Sequence, residues 1–225
     1  MRDTRKDEAY FDAYIEDELE SIAETESDLE SGVIEPDRIA SVQDWQLIDR
    51  THLLIAKYSR GDDIAELGRM ITEMTDDFCK WWDTDAYSDN MEFASMAYLF
   101  GADENTLEKI RKSMIDKSNG KTYDWLIEFI LTGSIVDGKL AWEKSDHFLA
   151  EAIEQHSAEP IKTYLSRWYS SNRSSGWYDT HKCDDDELLY YGYWCFEAAA
   201  VAKRAGIDDA LIRDNKYYPS DLTGN

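Results

Sequence analysis

The sequence predicts an all-α protein, a bundle-like array of about eight to ten helices in two packed halves. Three observations point there. Apolar residues recur at three- and four-residue steps along most of the chain, the period of a helix with one face turned inward. Only 3 Pro and 11 Gly interrupt 225 residues, too few for the many turns of a β fold. Where Gly or Asp does occur, it tends to fall where a periodic run begins or ends. Hydrophobic residues at 43%, among them 8 Trp, 14 Tyr and 7 Phe, make a sizeable core available.

The first helix is expected over about residues 4 to 30, with Tyr10, Phe11, Tyr14, Ile15, Leu19 and Ile22 on one stripe. Most of its remaining surface is acidic. Like charges on neighbouring turns destabilise a helix by roughly 0.2–0.5 kcal/mol per pair, so this one must lean on docking of its stripe. Ser31-Gly32 and Pro36 end it. A second helix runs from about Asp37 to Arg60, apolar over more than half its circumference through Ile39, Val42, Trp45, Ile48, Leu54, Ile55 and Tyr58. Gly61 suits its C-terminal cap, and Asp62 or Asp63 can cap a third helix over about 63 to 82. Helices over about 89 to 100 and 104 to 117 end at Gly101 and Asn119-Gly120.

A domain boundary is placed near residue 120, giving an N-terminal helical domain, 1–120, and a C-terminal one, 121–225. Asp124 to Thr132 reads as a short apolar helix, with a strand as the weaker alternative. Asp146 to Gln155 and Pro160 to Ser170 are two more helices. Residues 171 to 186 form a polar loop. A long helix is expected over about 187 to 205, capped by Gly206, with a last turn starting at Asp208. Cys195 reads as a small core residue of that helix.

Charge narrows the function classes. There are 48 acidic against 24 basic side chains, a formal net charge of -24. Nucleic acid requires clustered Lys and Arg to displace counterions, so neither nucleic acid nor anionic lipid is an expected partner. A basic protein is, and the field would speed encounter with it. The acidity is uneven: residues 1–120 carry 30 acids and 13 bases, net -17, against 18 and 11, net -7, in the rest. The start, MRDTRKDEAY, has no apolar run of a secretory leader, and no stretch reaches the roughly 20 apolar residues of a membrane span. Cys79, Cys183 and Cys195 have no C-x-x-C spacing, which fits reduced thiols in a cytoplasm. Nothing fixes an oligomeric state.

Few constellations suggest catalysis. Gly133 to Leu140 fits G-x-x-x-x-G-K but lacks the following Ser or Thr and places Asp137 in the loop, so an interhelical turn is preferred to a phosphate site. Asp179, His181, Cys183 and Asp184 to Glu187 lie close together; a metal there would lack paired ligand spacing. The preferred reading is a locally hydrogen-bonded loop, with Asp184 to Glu187 stabilising the N-terminus of the next helix. His52 reads as a satisfied core histidine. Glu197 is a lone carboxylate in an apolar helix and must be paired, with Lys182 or an Arg as candidates. No cofactor or metal is expected.

Three words of sequence carry a resemblance. GYWCFEAAAVAKRAGIDDALIRDNKYYPSDL, Gly192 to Leu222, closely resembles the ending of the PoNi family, bacterial immunity proteins against PoNe nuclease toxins. WYDTHK, Trp177 to Lys182, resembles the word before that ending, and LLIAKYSRGDDIAEL, Leu53 to Leu67, resembles one from the family's N-terminal domain. The resemblance implies a two-part helical fold, a bacterial cytoplasmic location, no enzymatic activity, and stoichiometric inhibition of a DNase toxin delivered between competing bacteria by a secretion system. It further implies that Trp177, Asp179, His181, Trp194, Glu197 and Asp209 preserve the fold. On charge, the candidates for meeting a basic nuclease cleft are Glu16, Asp17, Glu20, Glu24 and Asp28 of the first helix, and Asp184, Asp185, Asp186 and Glu187. The alternatives are a metal-dependent hydrolase using the Asp179/His181 region and a general helical adaptor.

Overall fold

A computed structural model of the chain describes residues 1–82, 85–118 and 122–224. Asn119-Gly120, expected to end a helix, lies outside them. Among the described residues there are nine α-helices and no strand. Residue contacts divide the chain into two compact units, Met1–Asp83 with Ser175–Tyr193, and Thr84–Ser174 with Trp194–Asn225.

The first unit is built on α1 (Glu8–Ser31), α2 (Ile39–Arg60) and α3 (Ile64–Trp81), with α2 packed against both neighbours. The Asp7 carboxylate starts α1 by accepting from the Tyr10 amide at 2.9 Å. Tyr10, Phe11, Tyr14, Ile15 and Ile22 bury the expected stripe, whereas Leu19, at its edge, stays 46% exposed. Gly61 ends α2 at φ 111°, and a Cβ there would meet the Met1 backbone nitrogen at 3.0 Å. The chain start is fastened at that point, since the amides of Arg2 and Asp3 both donate to the Ser59 carbonyl, at 2.9 and 3.0 Å. Asp63 then caps α3 through the amides of Ala65 and Glu66.

The expected helix over 187 to 205 is shortened. It begins only at Phe196, and residues 188 to 195 run without helical turns. The cause lies in the side chains of that stretch. Tyr190 and Tyr193 are buried within the first unit, and Tyr191 lies flat on His52, ring centres 3.9 Å apart. Three tyrosines this close in sequence all find partners more readily from an irregular backbone than from one helical face. Gly192, at φ 130°, supplies a conformation that other residues rarely adopt. Asp184 to Glu187 therefore do not sit at a helix start. They form an exposed 3-10 turn, Asp185–Glu187, and its approach.

The second unit contains α4 (Tyr87–Leu99), α5 (Glu104–Lys117), α6 (Trp125–Thr132), α7 (Glu143–Gln155), α8 (Ala158–Ser171) and α9 (Phe196–Ala205). Helix α9 is its centre, packed by α4, α6, α7 and α8. Its alanines, Ala198, Ala199, Ala200 and Ala202, are all buried; small side chains let four neighbours approach one short helix. Cys195 is buried just ahead of it. The apolar stretch 125–132 is helical, capped by the Asp124 carboxylate. Arg204 of α9 donates to the Ile130 carbonyl through Nε and Nη2, at 2.9 and 2.7 Å, occupying an acceptor that the end of α6 leaves open. Gly133 closes α6 at φ 77°, and the stretch that matched a phosphate loop is an irregular connection between α6 and α7, preceded by a helix instead of a strand. No helix among the described residues is long and apolar enough to cross a membrane.

Candidate functional surface

Helix α1 carries ten acidic residues and no base. Two are neutralised within the first unit: Asp12 by Arg60 at 2.8 Å and Glu26 by Arg50 at 2.5 Å. Glu16, Asp17, Glu20, Glu24 and Asp28 are all exposed, and none has an ion-pair partner among the described residues. Successive residues of a helix turn by about 100°, so Glu16 and Glu20 lie opposite the buried stripe, while Asp17, Glu24 and Asp28 flank it on the Tyr10 side. Their charge is uncompensated and presented to solvent.

One acid of α1 behaves differently. Glu18 faces inward at the α1–α2 seam, and its carboxyl is pushed up to about 7, first by burial and then by the Asp49 carboxylate on α2. Burial raises Asp49 as well. Among the described residues the pair has no ion-pair partner.

Of the second group of acids, Asp184 to Glu187 are exposed, and Asp185 is paired with Lys6, whose ammonium also donates to the Cys183 carbonyl at 3.1 Å. The turn is therefore pinned beside the start of α1, in the same unit as the first group.

The Asp179/His181 region is committed to structure. Asp179, at φ 66°, binds Lys182 at 2.8 Å. His181 Nδ1 lies 3.1 Å from the Tyr193 hydroxyl, which also reaches the Trp177 carbonyl at 3.1 Å, and the Trp177 and Tyr193 rings are 5.2 Å apart. Burial and the nearby Arg5 guanidinium push the His181 imidazole below its usual pKa. Among the described residues no group of three or more His, Cys, Asp or Glu is arranged to hold a metal ion. His52 is likewise neutral, its pKa lowered to about 4 by burial.

The other family-word residues lie in the second unit. Trp194 is buried. Asp209 is fully buried and accepts from the Thr223 hydroxyl at 2.7 Å and from the Arg213 guanidinium. Among the described residues Glu197 has no ion pair with Lys182 or with an arginine. Its Oε1 accepts from the Tyr164 hydroxyl at 2.9 Å and from Trp168 Nε1 at 2.7 Å, both on α8. Neutral donors on a helix already packed against α9 meet its need without burying a second charge.

Around Glu197 the structure gathers acids that the sequence reading did not single out. Asp146 and Asp124 share the Tyr87 hydroxyl, at 3.2 and 2.7 Å, and burial lifts Asp146 to about 6. Glu92 on α4 is lifted to about 8 by burial and by the charges of Asp89 and Glu197. Its signal was the one that exposed Glu197, a single carboxylate in an apolar run, here MEFASMAYLF.

Comparison with known proteins gives two matches, to the N-terminal part of the PoNe immunity proteins (PoNi) over residues 2–112 and to their C-terminal part over residues 122–222. No curated protein and no solved structure matches the chain.

Proposed function

The chain belongs to the PoNi family of PoNe immunity proteins, and from that premise we propose that it neutralises a cognate PoNe-type DNase by one-to-one binding in the bacterial cytoplasm, its acidic surface set against the nuclease's basic cleft. An immunity protein acts by occupancy, so affinity and rate of capture are what its surface must supply. A DNase must present positive charge to hold its substrate. The observation that carries this reading is the exposed acids of α1, where Glu16, Asp17, Glu20, Glu24 and Asp28 have no ion-pair partner among the described residues. Nuclease–immunity pairs reach the tight limit of protein association, and complementary charge brings association to about 10⁸–10⁹ M⁻¹s⁻¹ at low salt.

Asp184, Asp186 and Glu187 add exposed acids within the first unit, while Asp185 is held by Lys6. The two family matches fall on either side of residue 120, which supports reading 1–120 and 121–225 as the N- and C-terminal immunity domains, although the packed units cross that boundary.

Co-expression with the toxin encoded by the adjacent gene tests the proposal. Cells should survive, and toxin and this chain should co-purify as an equimolar complex. Continued killing, with no complex recovered, would sink it.

A further inference from the structure

Trp45 is the one tryptophan of the first unit that the fold leaves mostly in water among the described residues, at 61% exposure. Its setting follows from the α1–α2 pairing. The helices run antiparallel, since Gln46 reaches the Ile22 carbonyl at 3.3 Å and Arg60 reaches Asp12 at 2.8 Å. Arg50 and Glu26 close one side of the seam, and Asp49 and Glu18 face each other on the other side. Trp45 precedes Asp49 by four residues, one turn along the same ridge. One turn towards the start of α2 is one turn towards the end of α1, which sets Trp45 beside Ser21 and Thr25. Asp17, Ser21, Glu24 and Asp28 share one helical stripe at that point. The base nearest Trp45 along α2 is Arg50, five residues on and paired with Glu26 and Asp77, and Arg38 lies two turns before Trp45, ahead of the helix.

We propose that Trp45 is the anchor of the toxin interface, its indole face receiving an arginine or lysine side chain of the basic partner, with the carboxylates of Asp49 and Glu18 supplying the counter-charge. The inference rests on the immunity reading above. An indole face attracts a cation through its ring quadrupole, and buried tryptophans dominate interface energies when an acidic rim excludes water around them. Charge complementarity selects the occupant: α1 carries ten acids and no base, so the surface around the ring has an excess of acids and repels a second copy of itself. The raised Glu18 carboxyl is consistent with this, because two carboxylates without a cation between them are stabilised most by the arrival of one.

Binding of the full chain to its catalytically disabled cognate toxin, measured by biolayer interferometry, decides the matter. Trp45→Ala should weaken the complex at least tenfold through faster dissociation, and Trp45→Phe, which keeps a ring, should recover most of the loss. Ile135→Ala, at an equally exposed apolar position of the second unit, should bind like the unaltered chain. Unchanged thermal melting of the Trp45→Ala protein would exclude misfolding. Equal toxin binding by Trp45→Ala and the unaltered chain overturns the anchor alone. Failure of the unaltered chain to bind overturns the immunity reading with it. A free chain that dimerises, and is made monomeric by Trp45→Ala, overturns the choice of occupant.

Discussion

Asp3 shows how far a single side chain can reach. Its carboxylate is fully buried and accepts from the Tyr190 hydroxyl at 2.5 Å, from Arg5 Nη1 at 2.7 Å and from the Arg5 amide at 2.8 Å. Replacing it with Ala leaves the Arg5 guanidinium and the Tyr190 hydroxyl without their shared acceptor. The expected loss is about 3 kcal/mol, the scale for breaking a buried charged contact, and a urea titration should show it as a lower midpoint at unchanged slope. A midpoint like that of the unaltered protein would show that the contact contributes nothing. Sequence reading had no access to this residue. Asp3 stands in a charged opening stretch with no periodicity, and its partner is 187 positions away. Glu197 was half legible: a lone carboxylate among alanines demands donors, but nothing local says that a tyrosine and a tryptophan of another helix provide them.

At the level of elements, caps were the most legible feature because their chemistry is local. Gly61, Asp63, Gly101 and Gly206 end or start helices as their types require, and α5 covers the expected 104 to 117. The start of α9 was not legible, since it is set by tyrosines packing elsewhere in the fold and not by propensity. The faces that α4, α7 and α9 turn towards one another also carry a pH dependence. Glu92, near 8 in the folded chain, is close to 4.5 when unfolded, and Glu18, near 7, behaves alike. The folded state therefore keeps protons that the unfolded state has released. Their stabilisation is present at low pH and is lost as pH rises through the folded values. His52 opposes this only below about 6.5, where the unfolded imidazole is charged and the buried one is not. Above that, stability should fall with pH, by about 1 kcal/mol between about 6.5 and 8.5 after allowing for solvent screening. That corresponds to a melting temperature lower by about 2–4 °C. Calorimetry at the two pH values checks it, with Glu92→Gln expected to flatten the difference; a melting point that rises with pH would contradict the assignment.

At the scale of the whole molecule, the excess of acids and its concentration in the first 120 residues were readable by counting. The use of that charge depends on which acids escape pairing, and only the fold shows that most acids of α1 have no ion-pair partner among the described residues. If those acids steer the toxin, association should slow about tenfold as salt rises from roughly 0.05 to 0.5 M, because the Debye length contracts over that range. Dissociation should change far less. Stopped-flow mixing at several salt concentrations separates the two rates, and a flat association rate would remove steering from the account. The division into packed units was not readable, because no local signal says that residues 175–193 belong with residues 1–83.

That return of the chain sets a schedule for the cell. The first unit lacks Tyr190, Tyr193 and the loop around His181 until the ribosome has added about 110 residues beyond the first 83. At roughly 5–20 residues per second, its helices emerge and wait on the order of ten seconds with the faces of Tyr10, Phe11 and Tyr14 uncovered. The first unit is therefore unfinished until synthesis is almost complete, and if its acidic surface is what meets the toxin, a cell depends for protection on copies released before the toxin arrives.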